Sequence, residues 1–282
     1  MKTAPSSPTT PRPFLKWVGG KGQLLDELIE RFFSAKVSGR YHEPFVGGGA
    51  LFFGLHRLGR LGKSNAFLSD NNERLIEAYW GVQADVEALI ALLEGHRAQH
   101  DKEYYYAMRG TVPESLTARA ARIIYLNKTC FNGLFRENSR GGFNVPMGKY
   151  QNPPICDPEN LRAVSLALSG TEVSVRPFAG VLDHAVAGDF VYFDPPYHPL
   201  SASSNFTAYH EGRFGVSEQQ ALAAVYRELD QRGVALMLSN SMCDFVRELY
   251  AGFRIDTVYA CRCVNRDAGG RGKIPEAVVM NF

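Results

Sequence analysis

Metal-binding cysteine and histidine patterns are missing from this sequence. Its five cysteines include no C-x-x-C pair, and its seven histidines have no zinc-ligand spacing. No metal is therefore expected. With an odd number of cysteines, free and reduced thiols are the simplest interpretation.

Long apolar runs are also missing. No segment approaches the roughly 18 to 20 apolar residues of a membrane-spanning helix. The first thirteen residues, MKTAPSSPTTPRP, lack the apolar segment of a signal peptide and contain four prolines. We therefore expect a disordered tail over residues 1–13, no membrane partner and a cytoplasmic location.

A strong net charge is the third feature that the chain lacks. The formal charge of +2 over 282 residues predicts no polyanionic partner by itself. However, residues 119–150 contain six basic residues and one acidic residue, a local charge of +5 that leaves −3 for the remainder. This basic segment fits either a solvated loop or a nucleic-acid contact.

Alternating strand and helix patterns predict an α/β fold. Residues 41–80 contain two successive strand–turn–helix units, with a helix beginning near Ala50 and a strand ending at Asp70. Such units favour a doubly wound, mostly parallel sheet. From residue 81 to about 165 the patterns are helical, which predicts an inserted domain.

Strand patterns return after residue 165. EVSVRPF, DFVYFDPPY and VALMLSN are typical of strands, whereas FRIDTVYACRCV and IPEAVVMNF predict an antiparallel hairpin that closes the sheet edge. Between DFVYFDPPY and VALMLSN, Ser217 and Gln220 have capping-box spacing, and Gly233 marks the end of the helix that this box would begin.

A glycine turn after the first of these strands predicts a nucleoside site. Phe45 and Val46 precede Gly47-Gly48-Gly49, and Asp70 follows Gly49 by 21 residues. Glycines allow a ligand to approach the backbone, and an acid at this distance can bind ribose hydroxyls. Phe52 replaces the third glycine of the dinucleotide pattern, so no pyrophosphate site is expected. A simple turn remains the alternative.

The tetrapeptide Asp194-Pro195-Pro196-Tyr197 follows the strand FVYF. Two prolines stiffen the loop where it leaves the sheet. Asp194 and the Pro195 carbonyl could then accept both hydrogens of an exocyclic amine, while Tyr197 offers a face to the base. The alternative is a proline-rich turn with a packing aromatic.

The basic segment also contains interleaved aromatic and amide residues. These residues are Phe131, Asn132, Phe135, Asn138, Phe143, Asn144 and Tyr150. Arginine, lysine and asparagine side chains match the donors and acceptors of base edges and phosphates, which makes nucleic acid the natural partner.

In this order, the motifs resemble the Dam-type, D12-class adenine-specific DNA methyltransferases. The resemblance runs from Phe14 to the C-terminus and rests on FLKWVGGK, EPFVGGGA, LSDNN, YLNKTCFNGLFRENSRGGFNVPMGKY, DPPYHPLSASSNFTAYH and NRDAGGRGKIPEAVVMNF. It implies transfer of a methyl group from S-adenosylmethionine to N6 of adenine in double-stranded DNA, by a monomer in a bacterial or phage-infected cell.

The resemblance also implies a domain organisation and individual roles. Residues 14–80 and 165–282 would form a Rossmann-like catalytic domain, and residues 81–164 a mainly helical target-recognition domain. The implied catalytic residues are Asp194, Pro195 and Tyr197. The implied cofactor-binding residues are Trp17, Lys21, Phe45, Gly47, Asp70 and Asp194. The implied DNA-binding residues are Lys16, Asn132, Leu134, Arg136, Pro146 and Tyr150.

The target that this resemblance implies is GATC. A stacked adenine is out of reach, so we expect it to be flipped and covered by the polar segment His198–His210. Two positions depart from the pattern: Thr129-Cys130, where GATC-methylating relatives commonly have a second aromatic, and Asp267 in the closing hairpin. An RNA or protein-glutamine methyltransferase and an inactive DNA-binding regulator are the alternatives.

Overall fold

The computed structural model describes residues 10–61, 65–199, 214–261 and 273–282. Its α-helices are α1 (Leu25–Ser34), α2 (Ala50–Arg57), α3 (Glu73–Ala84), α4 (Val86–Ala98), α5 (Lys102–Gly110), α6 (Leu116–Thr129), α7 (Pro158–Leu168), α8 (Val216–Gln231) and α9 (Asp244–Leu249). Its strands are β1 (Tyr41–Glu43), β2 (Ala66–Asp70), β3 (Glu172–Val175), β4 (Phe190–Phe193), β5 (Ala235–Ser241), β6 (Arg254–Cys261) and β7 (Lys273–Met280). Short 3₁₀ helices span Lys21–Gln23, Phe131–Gly133 and Phe178–Asp183.

The chain forms two compact units. The first consists of Met1–Gly20, Gly47–Ser64 and Asn72–Val175, and the second of Lys21–Val46, Asn65–Asn71 and Arg176–Phe282. The sequence-based division into 14–80 with 165–282 and 81–164 groups the residues differently. The first unit also includes residues up to Gly20, Gly47–Ser64 and α3, and α3 contacts α6. Which unit recognises the DNA target stays a prediction.

The second unit contains a mixed sheet with the strand order β2-β1-β4-β5-β7-β6. Strands β2, β1, β4 and β5 are parallel, whereas β7 pairs antiparallel with both β5 and β6. Every residue of β4 is buried, as expected for a central parallel strand. The predicted α/β fold, with a mostly parallel sheet and an antiparallel closing hairpin, is confirmed.

The carboxyl ends of β1, β2 and β4 share one edge of this sheet. Phe45 lies two residues after β1, Asp70 ends β2 and Asp194 directly follows β4. Strand β2, the next in the chain, lies on one side of β1, and β4 lies on the other side. The strand order therefore reverses at β1. Open parallel sheets bind ligands at such a point.

The first unit is mainly helical. Helix α6 contacts α3, α4 and α5, and its buried residues include Ala120, Ile124 and Tyr125. A Cβ atom added at Gly81 of α3 would lie 2.2 Å from Cβ of Ala120, so only glycine permits this close approach of α3 and α6. As predicted, the described residues between β2 and β3 contain helices and no strand.

Helix α8 begins earlier than the capping-box spacing predicts. Its N-cap residue is Gly215 rather than Ser217, and Glu218 Oε2 accepts a hydrogen bond from the Gly215 N–H at 2.8 Å. The capping box predicted at Ser217 and Gln220 is therefore wrong, because Glu218 is the acid that reaches back to the helix start. The helix ends at Gln231, just before the predicted Gly233.

Several compositional expectations concern particular segments. In the described part of the chain, no helix has the length and apolarity to cross a membrane. Cys130, Cys156 and Cys243 are free thiols. Residues 1–9 of the predicted tail lie outside the described residues, and Arg12 donates hydrogen bonds to Asn160 and Asp157 beside α7.

Candidate active site

A buried ion pair lies directly after β4. Lys21 Nζ is 2.7 Å from Asp194 Oδ1, and the two side chains are 8% and 19% exposed. Lys21 begins the short helix that precedes α1. Because a buried charge is costly unless it is paired, the Lys21 ammonium offsets part of the cost of burying the Asp194 carboxylate.

The charge state of Asp194 depends on its surroundings. Burial raises the pKa of the Asp194 carboxyl above its ordinary value, the Lys21 ammonium opposes that rise and Glu276 adds to it. Lys21 therefore favours the carboxylate form, which can accept hydrogen bonds from a substrate amine.

The Tyr197 ring is held between two charged groups. Its hydroxyl donates a hydrogen bond to Glu276 Oε2 at 2.7 Å, and Lys21 Nζ lies 4.6 Å from the ring centroid. Burial and, after it, the charge of Asp194 raise the pKa of Tyr197 well above its ordinary value. The hydroxyl thus stays protonated and acts as the donor.

Three residues that contact the loop after β4 were not among the site residues predicted from the sequence. Glu276 of β7 contacts Tyr197, Gln219 of α8 donates to the Pro196 carbonyl, and Asn240 of β5 contacts both Gln219 and the His198 N–H. The available sequence signals were polar residues on buried positions: Gln219 shares the buried face of α8 with Leu222, and Asn240 lies in an otherwise apolar strand pattern.

Phe45 forms part of an aromatic cluster at the same sheet edge. Its ring centroid lies 5.6 Å from that of Phe178 and 5.5 Å from that of Phe214. Phe178 and Phe214 were not among the predicted site residues. The backbone carbonyl of Asp70, at the end of β2, accepts a hydrogen bond from the Arg176 N–H.

Trp17 and Gly47 lie together in the first unit. A Cβ atom added at Gly47 would be 2.8 Å from Cδ1 of Trp17, and Gly47 has a φ of +47°. The Gly47 carbonyl accepts a hydrogen bond from the Tyr79 hydroxyl at 3.0 Å. Glycine at this position therefore permits both the backbone conformation and the contact with the indole ring.

Lys16 is held through its backbone. Asn127, which is buried, accepts from the Lys16 N–H at 2.7 Å and donates to the Lys16 carbonyl at 2.8 Å. The same amide donates to the Gly133 carbonyl at 3.3 Å. Lys16 Nζ lies 4.1 Å from the centroid of the Tyr150 ring. Asn127 thus ties Lys16 to the loop that begins at Phe131.

The other predicted DNA-binding residues lie on one loop and are largely exposed. Asn132, Leu134, Arg136 and Pro146 are exposed, and Asn132 has a left-handed backbone with a φ of 56°. Arg136 Nε donates to Asn144 Oδ1 at 2.6 Å. The loop backbone is closed by isolated bridges, Cys130 with Met147 and Glu137 with Phe143.

Residues 17–262 match the family model of D12 class N6 adenine-specific DNA methyltransferases. The chain belongs to this family. It is 41% identical over 280 residues to Type II methyltransferase M1.LlaDCHI of Lactococcus lactis subsp. cremoris, covering 96% of this chain and 95% of that protein. It is 42% identical over 288 residues to Type II methyltransferase M.MjaIII of Methanocaldococcus jannaschii, covering 96% and 99%. The DNA adenine methylase of Escherichia coli K12 is 32% identical over 273 residues, covering 95% of each chain.

The protein is thus an adenine-specific DNA methyltransferase that uses S-adenosylmethionine, as predicted. This family assignment makes DNA the substrate, rather than RNA or protein glutamine, and makes the chain an enzyme rather than an inactive regulator. The second unit fits the cofactor chemically: Asp70 and Asp194 offer acceptors, Lys21 a cation and Phe45 an aromatic face. Three of these four residues lie on the sheet edge where parallel sheets bind ligands.

Proposed function

We propose that this methyltransferase modifies adenine within GATC in double-stranded DNA, flips that adenine out of the duplex, and transfers the methyl group in line to N6. The observation that carries the proposal is the Lys21–Asp194 pair, which stands where a two-proline loop leaves β4. The two-proline loop carries a carboxylate, a backbone carbonyl and an aromatic ring on one short, stiff segment.

Asp194 and the Pro195 carbonyl are the proposed acceptors for the two hydrogens of the adenine amine. These hydrogen bonds draw the nitrogen lone pair out of conjugation with the ring and orient it. When bound, S-adenosylmethionine supplies a methyl group on a positively charged sulfur, a strong electrophile, so orientation of the amine is the main requirement. Lys21 keeps Asp194 in the acceptor form.

Cofactor binding is proposed for the residues that the resemblance implies. They are Trp17, Lys21, Phe45, Gly47, Asp70 and Asp194. Asp70 at the end of β2 is suited to accept hydrogen bonds from ribose hydroxyls, because it occupies the acidic position that follows the glycine turn. The aromatic cluster around Phe45 supports a role in contacting an adenine ring.

Tyr197 is the proposed stacking surface for the flipped adenine. A base that reacts outside the helix needs a face that replaces its lost stacking. The contacts with Glu276 and Lys21 fix the position of this ring. The segment His198–His210 is the proposed cover, but its residues from 200 onward lie outside the described residues.

GATC recognition is proposed for Lys16, Asn132, Leu134, Arg136, Pro146 and Tyr150. Exposure of the four loop residues supports this role, since base edges must be reached from the protein surface. Arg136 is suited to a bidentate contact with guanine O6 and N7, and Lys16 to the guanine beside the adenine. We also propose a monomer that acts in the cytoplasm, where bacterial DNA is found.

The proposal is tested with a panel of duplexes and tritiated S-adenosylmethionine. One duplex carries GATC, and the others each replace one base pair of that site. We expect methylation of the GATC duplex and a loss at each replacement of about 1 to 3 kcal/mol, or about 5- to 150-fold. Equal rates on all duplexes, or a different preferred site, would overturn GATC while leaving the family assignment intact.

A further inference from the structure

Two buried amide side chains contact the backbone of the loop that follows β4. Gln219 Nε2 donates to the Pro196 carbonyl at 2.9 Å, and Asn240 Nδ2 donates to Gln219 Oε1 at 3.0 Å. Asn240 Oδ1 accepts from the His198 N–H at 3.1 Å. Gln219 is 1% exposed and Asn240 is fully buried. The amides therefore connect both sides of Tyr197 through one chain of hydrogen bonds.

The partners fix the orientation of both amides. A proline carbonyl can only accept, so the NH₂ group of Gln219 must face Pro196. Its oxygen then faces Asn240, whose NH₂ group must be the donor. The Asn240 oxygen is left for the backbone N–H groups of His198 and Ser241, the latter at 2.8 Å. Reversing either amide would place two donors or two acceptors against each other.

The loop needs such contacts because its prolines can donate none. Pro195 and Pro196 have no N–H, and their rings fix φ but leave ψ to be set by the surroundings. The hydrogen bond from Gln219 restrains the peptide plane that follows Pro196. On the other side of Tyr197, His198 donates to Asn240, and its carbonyl accepts from the Ser241 hydroxyl at 2.6 Å.

An apolar pair would fill the same space without the cost of burying two amides. A fully satisfied polar network instead specifies one geometry, since its hydrogen bonds are directional. We infer that Gln219 and Asn240 are positioning residues for methyl transfer, which hold the Pro195 carbonyl and the Tyr197 ring at the adenine through the backbone on either side of Tyr197. This inference rests on the proposed roles of Asp194, Pro195 and Tyr197.

The first test replaces Gln219 by methionine, which has a similar length but no hydrogen-bond donor for the Pro196 carbonyl. With saturating S-adenosylmethionine and duplex, the single-turnover rate of methyl transfer should fall about tenfold or more, because small misplacements of reacting groups are costly. The affinity for S-adenosylmethionine should change less than twofold. Gln220 of the same helix is exposed, so Gln220→Met is the matched control and should keep the wild-type rate.

Gln219→Glu makes the rate relative to wild type depend on pH, which would not be expected if Gln219 only filled space. A protonated carboxyl can still donate to the Pro196 carbonyl, whereas a carboxylate would repel it. The rate relative to wild type should therefore be close to one at acidic pH and fall as pH rises through the pKa of the introduced, buried carboxyl. The deficit of Gln219→Met should not depend on pH, and dividing by the wild-type rate removes the titration of other groups.

Circular dichroism and a melting curve at each pH establish that the variants are folded. If folded Gln219→Met and Gln219→Glu both transfer methyl at the wild-type rate, or lose the same pH-independent fraction, the positioning role is wrong. Asp194→Ala, measured in parallel, distinguishes a failure of the proposed active site from a failure of the positioning role of Gln219 and Asn240. An active Asp194→Ala variant would overturn the proposed active site, whereas an inactive one beside a fully active Gln219→Met variant would overturn only this inference.

Discussion

Charged side chains in the loop after β4 and in the loop after α6 differ in burial and in their partners. In the first, Asp194 is buried against Lys21 of the short helix before α1, and Tyr197 is hydrogen-bonded to Glu276. In the second, Arg136 is exposed, and its guanidinium donates hydrogen bonds to the side chain and the backbone carbonyl of Asn144. The side chains proposed to act on every substrate are thus the ones that other side chains already hold in place.

The contrast extends to the backbone. Asn127 is buried and holds Lys16 beside the second loop, but the exposed side chains there have few fixed partners. A base edge could replace Asn144 as the partner of Arg136 at little cost, whereas replacing Lys21 as the partner of Asp194 would strand a buried charge. We therefore expect changes in the first loop to affect turnover on all duplexes and changes in the second to affect the choice of duplex.

Asp194→Ala should have the largest effect. Loss of the acceptor for the adenine amine should lower the single-turnover rate by at least about a hundredfold, since one preorganised hydrogen-bonding group contributes that much in other active sites. The rate is measured with tritiated S-adenosylmethionine. Because Asp194→Ala removes a carboxylate from the buried Lys21 ammonium, Asp194→Asn and a melting curve serve as controls. Turnover near the wild-type rate would remove Asp194 from catalysis.

Lys21→Met should shift the pH dependence of turnover. The pKa of Asp194 is already raised by burial, and the Lys21 ammonium opposes that rise. Without the ammonium the pKa rises further, so the carboxylate form is lost as pH falls, from a higher pH than in the wild type. The acid limb of the rate profile should therefore move to higher pH.

This profile is measured at saturating S-adenosylmethionine, because Lys21 is also a proposed cofactor contact. Lys273, which is exposed on β7, provides a charge-matched control in Lys273→Met. An acid limb that stays in place in Lys21→Met would mean that another group controls the ionisation on which turnover depends.

Arg136→Ala tests the other side of the comparison. Losing one bidentate guanine contact should reduce discrimination by about 1 to 3 kcal/mol, or about 5- to 150-fold, at one base pair. Rates on GATC and on sites altered at that pair should converge. Arg140→Ala, on the same exposed loop, is the control. If Arg136→Ala slows all duplexes equally, Arg136 contacts the DNA backbone instead.

Asp70→Ala should act on the cofactor alone. Unpaired ribose hydroxyls should weaken S-adenosylmethionine binding by about 1 to 3 kcal/mol, with the smaller value favoured because Asp70 is only half-buried. Calorimetry measures this affinity, and the DNA preference should stay unchanged. An unaltered affinity would contradict the role assigned from the glycine–acid spacing.

The predictable parts of this site are those that one stretch of sequence encodes. Asp194, Pro195 and Tyr197 occupy a single motif after an apolar strand, and the spacing from Gly49 to Asp70 follows from one strand–turn–helix unit. Glu276 lies 79 residues from Tyr197, and no local pattern links them. The sheet brings them together because β7 inserts between β5 and β6, a pairing that strand patterns alone do not fix.

The misplaced start of α8 has a similar origin. The capping box at Ser217 follows a valid local rule, but Gly215 and Glu218 begin the helix instead. The domain bounds, which stay a prediction, were also drawn from local patterns. Residues 81–164 were assigned to an insertion on their helical periodicity, whereas α3 clusters with these helices and Gly81 allows it to pack closely on α6. In both cases a contact that the local pattern does not contain decided the boundary.

The smallest expected effect concerns Glu276, the missed partner of Tyr197. Glu276→Gln keeps an acceptor for the Tyr197 hydroxyl but removes its charge, and charged acceptors form stronger hydrogen bonds than neutral ones. We expect about a twofold loss of turnover for Glu276→Gln and about a fivefold loss for Tyr197→Phe, the latter corresponding to about 1 kcal/mol for one lost hydrogen bond. Single-turnover rates on the GATC duplex measure both.

The double variant Tyr197→Phe with Glu276→Gln decides whether the two residues act together. If Glu276 acts by holding the ring, the charge no longer matters once the hydroxyl is gone, and the double variant should be no slower than Tyr197→Phe. Multiplicative losses would instead show that Glu276 acts independently of Tyr197. Its effect on the pKa of Asp194 would not account for such a loss, because removing the Glu276 charge lowers that pKa and favours the carboxylate. In that case the ring would be held by its contact with Lys21, and the comparison between a pre-positioned loop and an adaptable one would rest on the ion pair alone.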